Sequence, residues 1–235
     1  EQTIGVWLLR TDGNAQSVLD HDDFLAKANG DWLTREIRHY LKRVLKRLDV
    51  TPRSMIALIE PGSCFAGTLA ELAFAADRSL MLIGNQEGDN RRPATIVLGP
   101  ANFGFYPMGN GLTRLQTRFL GEPQTLDTLK GKIGEPVESE QAAELGLVTM
   151  TYENFDWDDE LRVMLEERTS FSPDAMTGME ANLRFAGPET METKIFGRLT
   201  AWQNWIFQRP NAIGKQGALK LSGSGVSPTF NKERI

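Results

Sequence analysis

The stretch EPGSCFAGTLAELAFAADRSLML, residues 60–82, contains the signals that decide the fold of this chain. A loop of small residues runs directly into an alanine-rich apolar helix, and the helix leads into RSLML, which has the composition of a buried strand. Before the loop, SMIALIE (54–60) is a continuous apolar run, typical of a strand covered on both faces. The order strand, glycine-containing loop, helix, strand predicts a right-handed crossover unit, and hence an α/β fold.

The loop in this stretch also has the composition of an anion site. Gly62 and Gly67 allow a ligand to approach the backbone closely, and the N-terminus of the following helix favours negative charge. Backbone N–H groups at Gly67 and near Cys64 are therefore candidate donors to the oxyanion of a thioester. Small residues before a helix are weak evidence for a ligand site and more often reflect plain loop packing, so both interpretations stay open.

Three further features are candidates for chemistry. Glu71 lies in an apolar helix, where burial raises the pKa of a carboxyl group and suits it to proton transfer. A hydrogen-bonded structural carboxylate explains it equally well. No histidine adjoins Cys64 in the sequence, so we interpret it as a small buried residue rather than a nucleophile. His21 with Asp22 and Asp23 resembles an acid–base cluster, but it falls in a predicted polar loop with no partner in view.

Composition excludes several classes of function. The 235 residues carry a formal net charge of −5, which argues against nucleic acid as the main partner. Two histidines and one cysteine predict neither a metal cluster nor an internal disulfide, and they favour a cytoplasmic location. No apolar run approaches the roughly 20 residues that span a bilayer. Because a strand begins almost at once after Glu1, we expect the chain to be part of a longer one.

The remaining patterns divide the chain into three regions. These are an α/β core (1–157), a helical packing or oligomerisation region (158–210) and an extended tail (211–235). Within the core, residues 4–11 predict a strand, and an amphipathic helix capped near Thr34 ends before Pro52. The basic residues of this helix are interpreted as a solvated face rather than a phosphate site.

An aromatic helix stands out in the second region. Ile195, Leu199, Trp202 and Ile206 have helical spacing and predict one apolar stripe. The same segment contains the aromatic side chains Phe196, Trp202, Trp205 and Phe207. They could pack in the core, lie at a subunit interface or flank a ligand. Core or interface packing is the preferred interpretation.

Three motifs together resemble the crotonase (enoyl-CoA hydratase/isomerase) superfamily. GSCFAGTLAELAFAAD resembles its glycine-rich loop and Glu-Leu-Ala helix, GFYPMGNGLTRL its Gly-Pro segment ending in Arg-Leu, and SEQAAELGLVTM its Ala-x-x-x-Gly-Leu-Val segment. They follow one another in the family order. The resemblance implies a crotonase-like core of repeated ββα units with a C-terminal helical region.

A closer resemblance covers nearly the whole chain. The segments VTPRSMIALIEPGSCFAGTLAELAFAAD, GPETMETKIFGRLTAWQNWIFQRPNA and GALKLSGSG resemble the C-terminal half of the ring-opening lyases of aerobic benzoate breakdown. The resemblance implies cleavage of 2,3-dihydro-2,3-dihydroxybenzoyl-CoA with release of formate and an aldehyde-bearing acyl-CoA. It implies coenzyme A only as part of the substrate, no metal or redox cofactor, a missing N-terminal crotonase-like half and a homo-oligomer.

The chain departs from the superfamily at its site residues. Gly67 matches one oxyanion donor and Glu71 the first of two catalytic glutamates. The second donor loop falls on AQSVLDHDDF (15–24), which does not match, and the second glutamate falls on Gly99-Pro100. We therefore expect a degenerate half that stabilises the assembly or shapes the site. The alternatives are that this half takes part in the chemistry through Gly67 and Glu71, or that the chain is a small hydratase or isomerase.

Overall fold

The computed structural model describes residues 3–28 and 30–233, which fall into two compact units. The larger unit comprises the described residues of Leu8–Val50 and Met55–Leu161. The smaller comprises those of Glu1–Trp7, Thr51–Ser54 and Arg162–Ile235. The sequence-based division at residues 157 and 210 is not tested by this partition and stays a prediction.

The described residues form six strands. They are β1 (Val6–Leu9), β2 (Ser54–Ile59), β3 (Arg78–Leu82), β4 (Ile96–Val97), β5 (Pro136–Val137) and β6 (Met150–Tyr152). A four-stranded sheet has the order β1-β2-β3-β6, in which β3 runs parallel to both β2 and β6. The short strands β4 and β5 pair antiparallel. The parallel pairing of β2 with β3 confirms the crossover that the sequence predicts.

Helices account for most of the other regular structure. The α-helices are α1 (Ala15–Lys27), α2 (Trp32–Asp49), α3 (Gly67–Ala75), α4 (Arg114–Arg118), α5 (Thr125–Lys130), α6 (Ser139–Glu144), α7 (Asn154–Ser170), α8 (Pro173–Arg184), α9 (Thr200–Ile206), α10 (Pro210–Ile213) and α11 (Ala218–Leu221). A 3₁₀ helix spans Pro100–Phe103, and a π-helical segment spans Thr193–Leu199.

The core of the larger unit forms around β2 and α3. All six residues of β2 are buried, and α3 buries seven of its nine, so both elements lack a solvent-facing side. Their apolar side chains join those of β3, β4 and α6 in one cluster. A continuously apolar sequence is stable only in such a position, because either face would otherwise expose apolar surface to water. The core thereby fixes the loop between β2 and α3, where the candidate site lies.

Two local predictions in the larger unit are wrong. The sequence predicts loop and short helix over residues 12–32, with His21 in the loop, but His21 lies within the 13-residue helix α1, whose N-cap Asn14 accepts hydrogen bonds from two backbone N–H groups. Helix α2 begins one turn earlier than predicted, because Asp31 and not Thr34 is its N-cap. The Thr34 hydroxyl instead donates to the carbonyl oxygens of Ala28 and Asp31.

The smaller unit is helical in its described C-terminal part. Ser172 caps α8 and Pro173 occupies its first position, as the sequence predicts. The predicted core packing of the aromatic segment is wrong, because neither the π-helical segment nor α9 contains a buried residue. Phe196 is 75% exposed, while Trp202 packs against Gly178 of α8. A subunit interface at this segment stays a prediction.

The described part of the C-terminal tail is partly helical. The region 211–235, expected to be extended, contains most of α10 and all of α11 within its described residues. Asn211 anchors the chain near its end by exchanging hydrogen bonds with the backbone of Asn231. Among residues 3–28 and 30–233, no helix is both long and apolar enough to cross a membrane.

Replacement of the α2 cap tests the observed start of this helix. The Asp31 carboxylate accepts hydrogen bonds from Leu33 N (2.9 Å) and Thr34 N (3.1 Å). We expect Asp31→Ala to lower the free energy of unfolding by about 1 kcal/mol, measured by urea denaturation, whereas Asp31→Asn keeps an acceptor and most of the stability. Equal losses in both variants would contradict this assignment of the cap.

Candidate functional site

The site is built around the N-terminus of α3. Gly67 opens the helix with a φ of +42°, a left-handed conformation that favours glycine. A Cβ atom at this position would collide with the carboxylate of Asp22. The Gly67 carbonyl oxygen accepts a hydrogen bond from Asn102 Nδ2 at 2.8 Å. The glycine therefore lets a carboxylate from another helix lie directly against the start of α3.

That carboxylate, from Asp22 of α1, bonds to the first turn of α3. Its Oδ2 accepts from Thr68 N at 2.7 Å, and its Oδ1 accepts from the Thr68 hydroxyl, which lies 3.0 Å from the hydroxyl of Tyr106. The first N–H groups of a helix have no partner within the helix and carry its positive pole. Asp22 thus places a negative charge of the protein itself where an oxyanion site would receive the substrate's charge.

Burial dominates the titration of Asp22. The residue is only 5% exposed, and desolvation raises the pKa of its carboxyl group above the ordinary value. The two hydrogen bonds from Thr68 lower this pKa, as does the electrostatic interaction with the nearby His21, but they do not cancel the effect of burial. A group in this position is a buried structural acid that holds its proton more readily than an exposed aspartate.

Glu71, one turn further along α3, is fully enclosed. Its Oε1 accepts from Asn102 Nδ2 at 2.7 Å, and its Oε2 accepts from Arg114 Nη1 at 2.9 Å. The residue is 1% exposed, and desolvation raises the pKa of its carboxyl group although the Arg114 guanidinium lowers it. Both oxygens are engaged by side chains of the protein, so the carboxylate points into packed structure.

Arg114 of α4 connects Glu71 to a second buried carboxylate. Its Nε and Nη2 donate to the two oxygens of Asp49, at 3.1 and 2.7 Å, in the bidentate geometry that guanidinium favours. Its Nη1 also donates to the Tyr106 carbonyl oxygen at 3.1 Å. The side chains of Arg114, Asp49 and Glu71 are at most 2% exposed. One cation therefore serves two carboxylates away from water.

Asp22 is among the residues that line two cavities. One has a volume of about 250 Å³, and Pro100 is another of its lining residues. The second has a volume of about 400 Å³ and is lined in part by Thr68 and Cys64. Glu71 lines neither of them. Asp22 therefore borders both of these cavities, whereas the candidate acid borders neither.

The structure brings together only part of the predicted site. Gly67 lies at the α3 N-terminus as expected, and Cys64 is buried in the adjoining loop with its N–H donating to the Thr11 hydroxyl at 2.9 Å. Whether Glu71, Gly67 or Cys64 takes part in chemistry stays a prediction. His21 and Asp23 are exposed on α1, while Asp22 between them is turned inward. No group of three potential metal-ligating side chains occurs within residues 3–28 and 30–233.

Sequence reasoning missed the partners that decide this site. Asp22 contacts Thr68 across 46 residues, and Arg114 contacts Asp49 across 65. The signal for Arg114 was its place in the GFYPMGNGLTRL motif, which indicates that the arginine matters but not what it binds. No pattern near Asp22 distinguishes it from Asp20 or Asp23, since an inward turn of one helical residue depends on tertiary packing.

Solved structures of enoyl-CoA hydratases resemble this chain. An enoyl-CoA hydratase/isomerase from Cupriavidus metallidurans CH34 superimposes with a TM-score of 0.65 over 98% of this chain and 80% of its own, at 18% identity. An enoyl-CoA hydratase from Geobacillus kaustophilus HTA426 gives 0.61 over 85% of this chain and 69% of its own, also at 18% identity. The chain has the crotonase fold. The predicted α/β class with a crotonase-like core is thereby confirmed.

A curated protein gives a closer sequence match. The benzoyl-CoA-dihydrodiol lyase of Aromatoleum evansii is 52% identical over 233 residues, which is 99% of this chain. The chain spans 41% of the length of that relative, so it is similar to a segment of the lyase rather than to the whole. No protein-family model matches the chain. The closer resemblance inferred from the sequence motifs is confirmed by this match.

Removal of the shared cation tests the buried cluster. Arg114→Met removes the guanidinium that Asp49 and Glu71 share, and we expect it to lower the free energy of unfolding by about 3–5 kcal/mol. Arg47→Met on the exposed side of α2 is the matched control and should change it by less than about 0.5 kcal/mol. Similar urea midpoints for the two variants would contradict the proposed importance of the cluster.

The pH dependence of stability tests the burial of Glu71. Its pKa is raised above the ordinary 4.5, so the folded state retains a proton that the unfolded state releases. The stability from this proton is complete below pH 4.5 and is lost as pH rises through the folded pKa. We expect Glu71→Gln to flatten the decline of the unfolding free energy above pH 4.5, measured by urea denaturation. Glu144→Gln, an exposed substitution on α6, should leave the wild-type slope, and a steep slope in both would refute the shift.

Proposed function

We propose that this chain is a segment of a CoA-thioester ring-opening lyase. The observation that carries the proposal is 52% identity over 99% of the chain to a benzoyl-CoA-dihydrodiol lyase. The substrate would be 2,3-dihydro-2,3-dihydroxybenzoyl-CoA, cleaved with release of formate. Charge that develops on the thioester carbonyl during such a cleavage requires backbone donors, and a carboxyl group must move a proton.

Within that enzyme, the segment is a scaffold and the chemistry lies in the remainder of the protein. A thioester oxygen that accepts from the Thr68 N–H would have to displace Asp22, which already accepts from it at 2.7 Å. While Asp22 is ionised, it would also repel the negative charge that the site is meant to stabilise. The geometry of α3 therefore supports a structural use of its N-terminus.

The state of Glu71 supports the same proposal. A general acid or base must lie within hydrogen-bond reach of the substrate proton. Both Glu71 oxygens are instead bonded to Asn102 and Arg114 at 2.7 and 2.9 Å. The alternative of a generic enoyl-CoA hydratase or isomerase needs a second glutamate, and Pro100 occupies that position at the start of the 3₁₀ helix.

The partners follow from the same reasoning. The segment would pack with the N-terminal crotonase-like half of its own enzyme and form a homo-oligomer through its helical surfaces. Coenzyme A would enter only as part of the substrate, and the ring opening would use neither a metal nor a redox cofactor. We place the enzyme in the cytoplasm, consistent with a single unpaired cysteine.

Formate release by the full-length protein separates a scaffold from a catalytic role. Glu71→Gln and Asp22→Asn should each retain kcat within about threefold, because removing a true general acid or base costs about 100-fold or more. The exposed substitutions Glu144→Gln and Asp23→Asn are matched controls. Thermal melting of each variant identifies losses that come from unfolding.

A 100-fold fall of kcat in folded Glu71→Gln would refute the scaffold proposal and assign proton transfer to this segment. Complete lack of formate release by the unsubstituted full-length protein would refute the lyase proposal itself. Hydration of a crotonyl-CoA probe, measured by loss of its enoyl absorbance, would then favour the generic hydratase. The two parts of the proposal therefore fail in different ways.

A further inference from the structure

Helix α2 has two apolar stripes, and one of them faces away from the protein. The inner stripe includes Leu41, Leu45 and Leu48, which pack in a cluster with Ala101 and Tyr106. The outer stripe of α2 consists of Leu33, Ile37, Tyr40 and Val44. Three of its members are 51% (Leu33), 62% (Tyr40) and 39% (Val44) exposed, and Ile37 is partly buried. A solvent-facing side of a helix is normally polar, so this stripe indicates a contact surface.

The spacing of the outer stripe specifies what kind of element covers it. Its members lie at i, i+4, i+7 and i+11, which places them within an arc of about 60° on an ideal helix. This spacing is that of the a and d positions in a coiled-coil seam. The geometry therefore favours a second helix that packs lengthwise, rather than a loop or a small ligand.

The stripe is complementary to itself in the antiparallel direction. A twofold axis crossing α2 midway between Arg38 and His39 exchanges Leu33 with Val44 and Ile37 with Tyr40. Along the seam, Leu33 of one copy then lies opposite Val44 of the other, and Ile37 lies opposite Tyr40. The sequence of α2 thus meets the geometric requirement of an isologous contact, in which one patch serves both copies.

The charges beside the stripe have the same symmetry. Glu36 and Arg43 are both exposed and lie on the same flank of the stripe, one heptad apart. In an antiparallel pair these flanks face each other, so Glu36 of one copy lies opposite Arg43 of the other, and the pair forms twice. A parallel pair would not bring them together in this way. Charge complementarity therefore selects the antiparallel arrangement.

We propose that the outer stripe of α2 binds the same stripe of a second copy of this chain, antiparallel and about a twofold axis. The inference deepens the proposed homo-oligomer and does not depend on the proposed chemistry. Four side chains in each copy cover less than the roughly 1,200 Å² that specific, stable interfaces bury, so this seam alone forms a weak and transient pair. Further contacts elsewhere in the oligomer would strengthen it.

Cysteine crosslinking of the full-length protein tests the register. Leu33→Cys and Val44→Cys proteins are mixed at high micromolar concentration and oxidised with copper phenanthroline. We expect a disulfide-linked dimer from the mixture and little from either variant alone, because identical positions lie roughly 16 Å apart along antiparallel helices. The unsubstituted protein, whose Cys64 is buried, gives the background. No crosslink in the mixture, as expected where another part of the enzyme covers the stripe, would overturn the proposal.

Charge reversal tests the flanking ion pairs independently. Glu36→Arg and Arg43→Glu should each raise the dissociation constant of the pair about tenfold, measured by sedimentation equilibrium. The double variant exchanges the two charges and should restore the wild-type value. Equal association of all four proteins, or additive weakening in the double variant, would contradict the antiparallel seam. Both positions are exposed. Unchanged circular dichroism would show that the variants fold, and unchanged formate release would show that the seam is separate from the chemistry.

Discussion

The buried guanidinium of Arg114 joins four parts of the larger unit. It binds Asp49 at the end of α2, Glu71 in the middle of α3 and the carbonyl oxygen of Tyr106, while Asn102 of the 3₁₀ helix holds the other oxygen of Glu71. A buried charge is tolerated only when its partners are close and well oriented. The cluster therefore links α2, α3, α4 and the 3₁₀ helix to one another through buried hydrogen bonds.

The N-terminus of α3 shows how a catalytic geometry can serve as a structural one. An oxyanion hole and a helix cap both present unpaired N–H groups to a negative oxygen. The difference is the source of that oxygen, which here is Asp22 bonded to Thr68 at 2.7 Å. Glycine is required at position 67 here, because φ is +42° and a Cβ atom would meet the Asp22 carboxylate. A glycine-rich loop before a helix consequently predicts the shape of the site but not its use.

Sequence patterns predicted those features of the fold that interactions between neighbouring residues determine. The strands β2 and β3 and helix α3 were predicted from continuous apolar runs, because a fully buried element has no polar face to interrupt such a run. The predicted N-cap of α2 was wrong because Asp31 and Thr34 lie within one turn and both residue types can cap a helix. Which of them caps α2 depends on where the Thr34 hydroxyl finds an acceptor. The contacts of Asp22 and Arg114 join residues far apart in sequence, so no window of neighbouring residues contains them.

The buried charges and the exposed stripe of α2 are connected through Asp49. Apolar side chains in place of Arg114, Asp49 and Glu71 would avoid the cost of removing three charges from water, so burial of the cluster is not explained by stability alone. Its distinct property is direction, because a bidentate guanidinium donates to a carboxylate in the plane of its N–H bonds. With Leu45 packed beneath the helix and Asp49 held at its end, α2 cannot rotate about its axis without breaking both contacts. An outer stripe that recognises its own copy needs that fixed rotation, since a shift of one residue turns the seam by about 100° and puts Glu36 and Arg43 in the places of Ile37 and Val44.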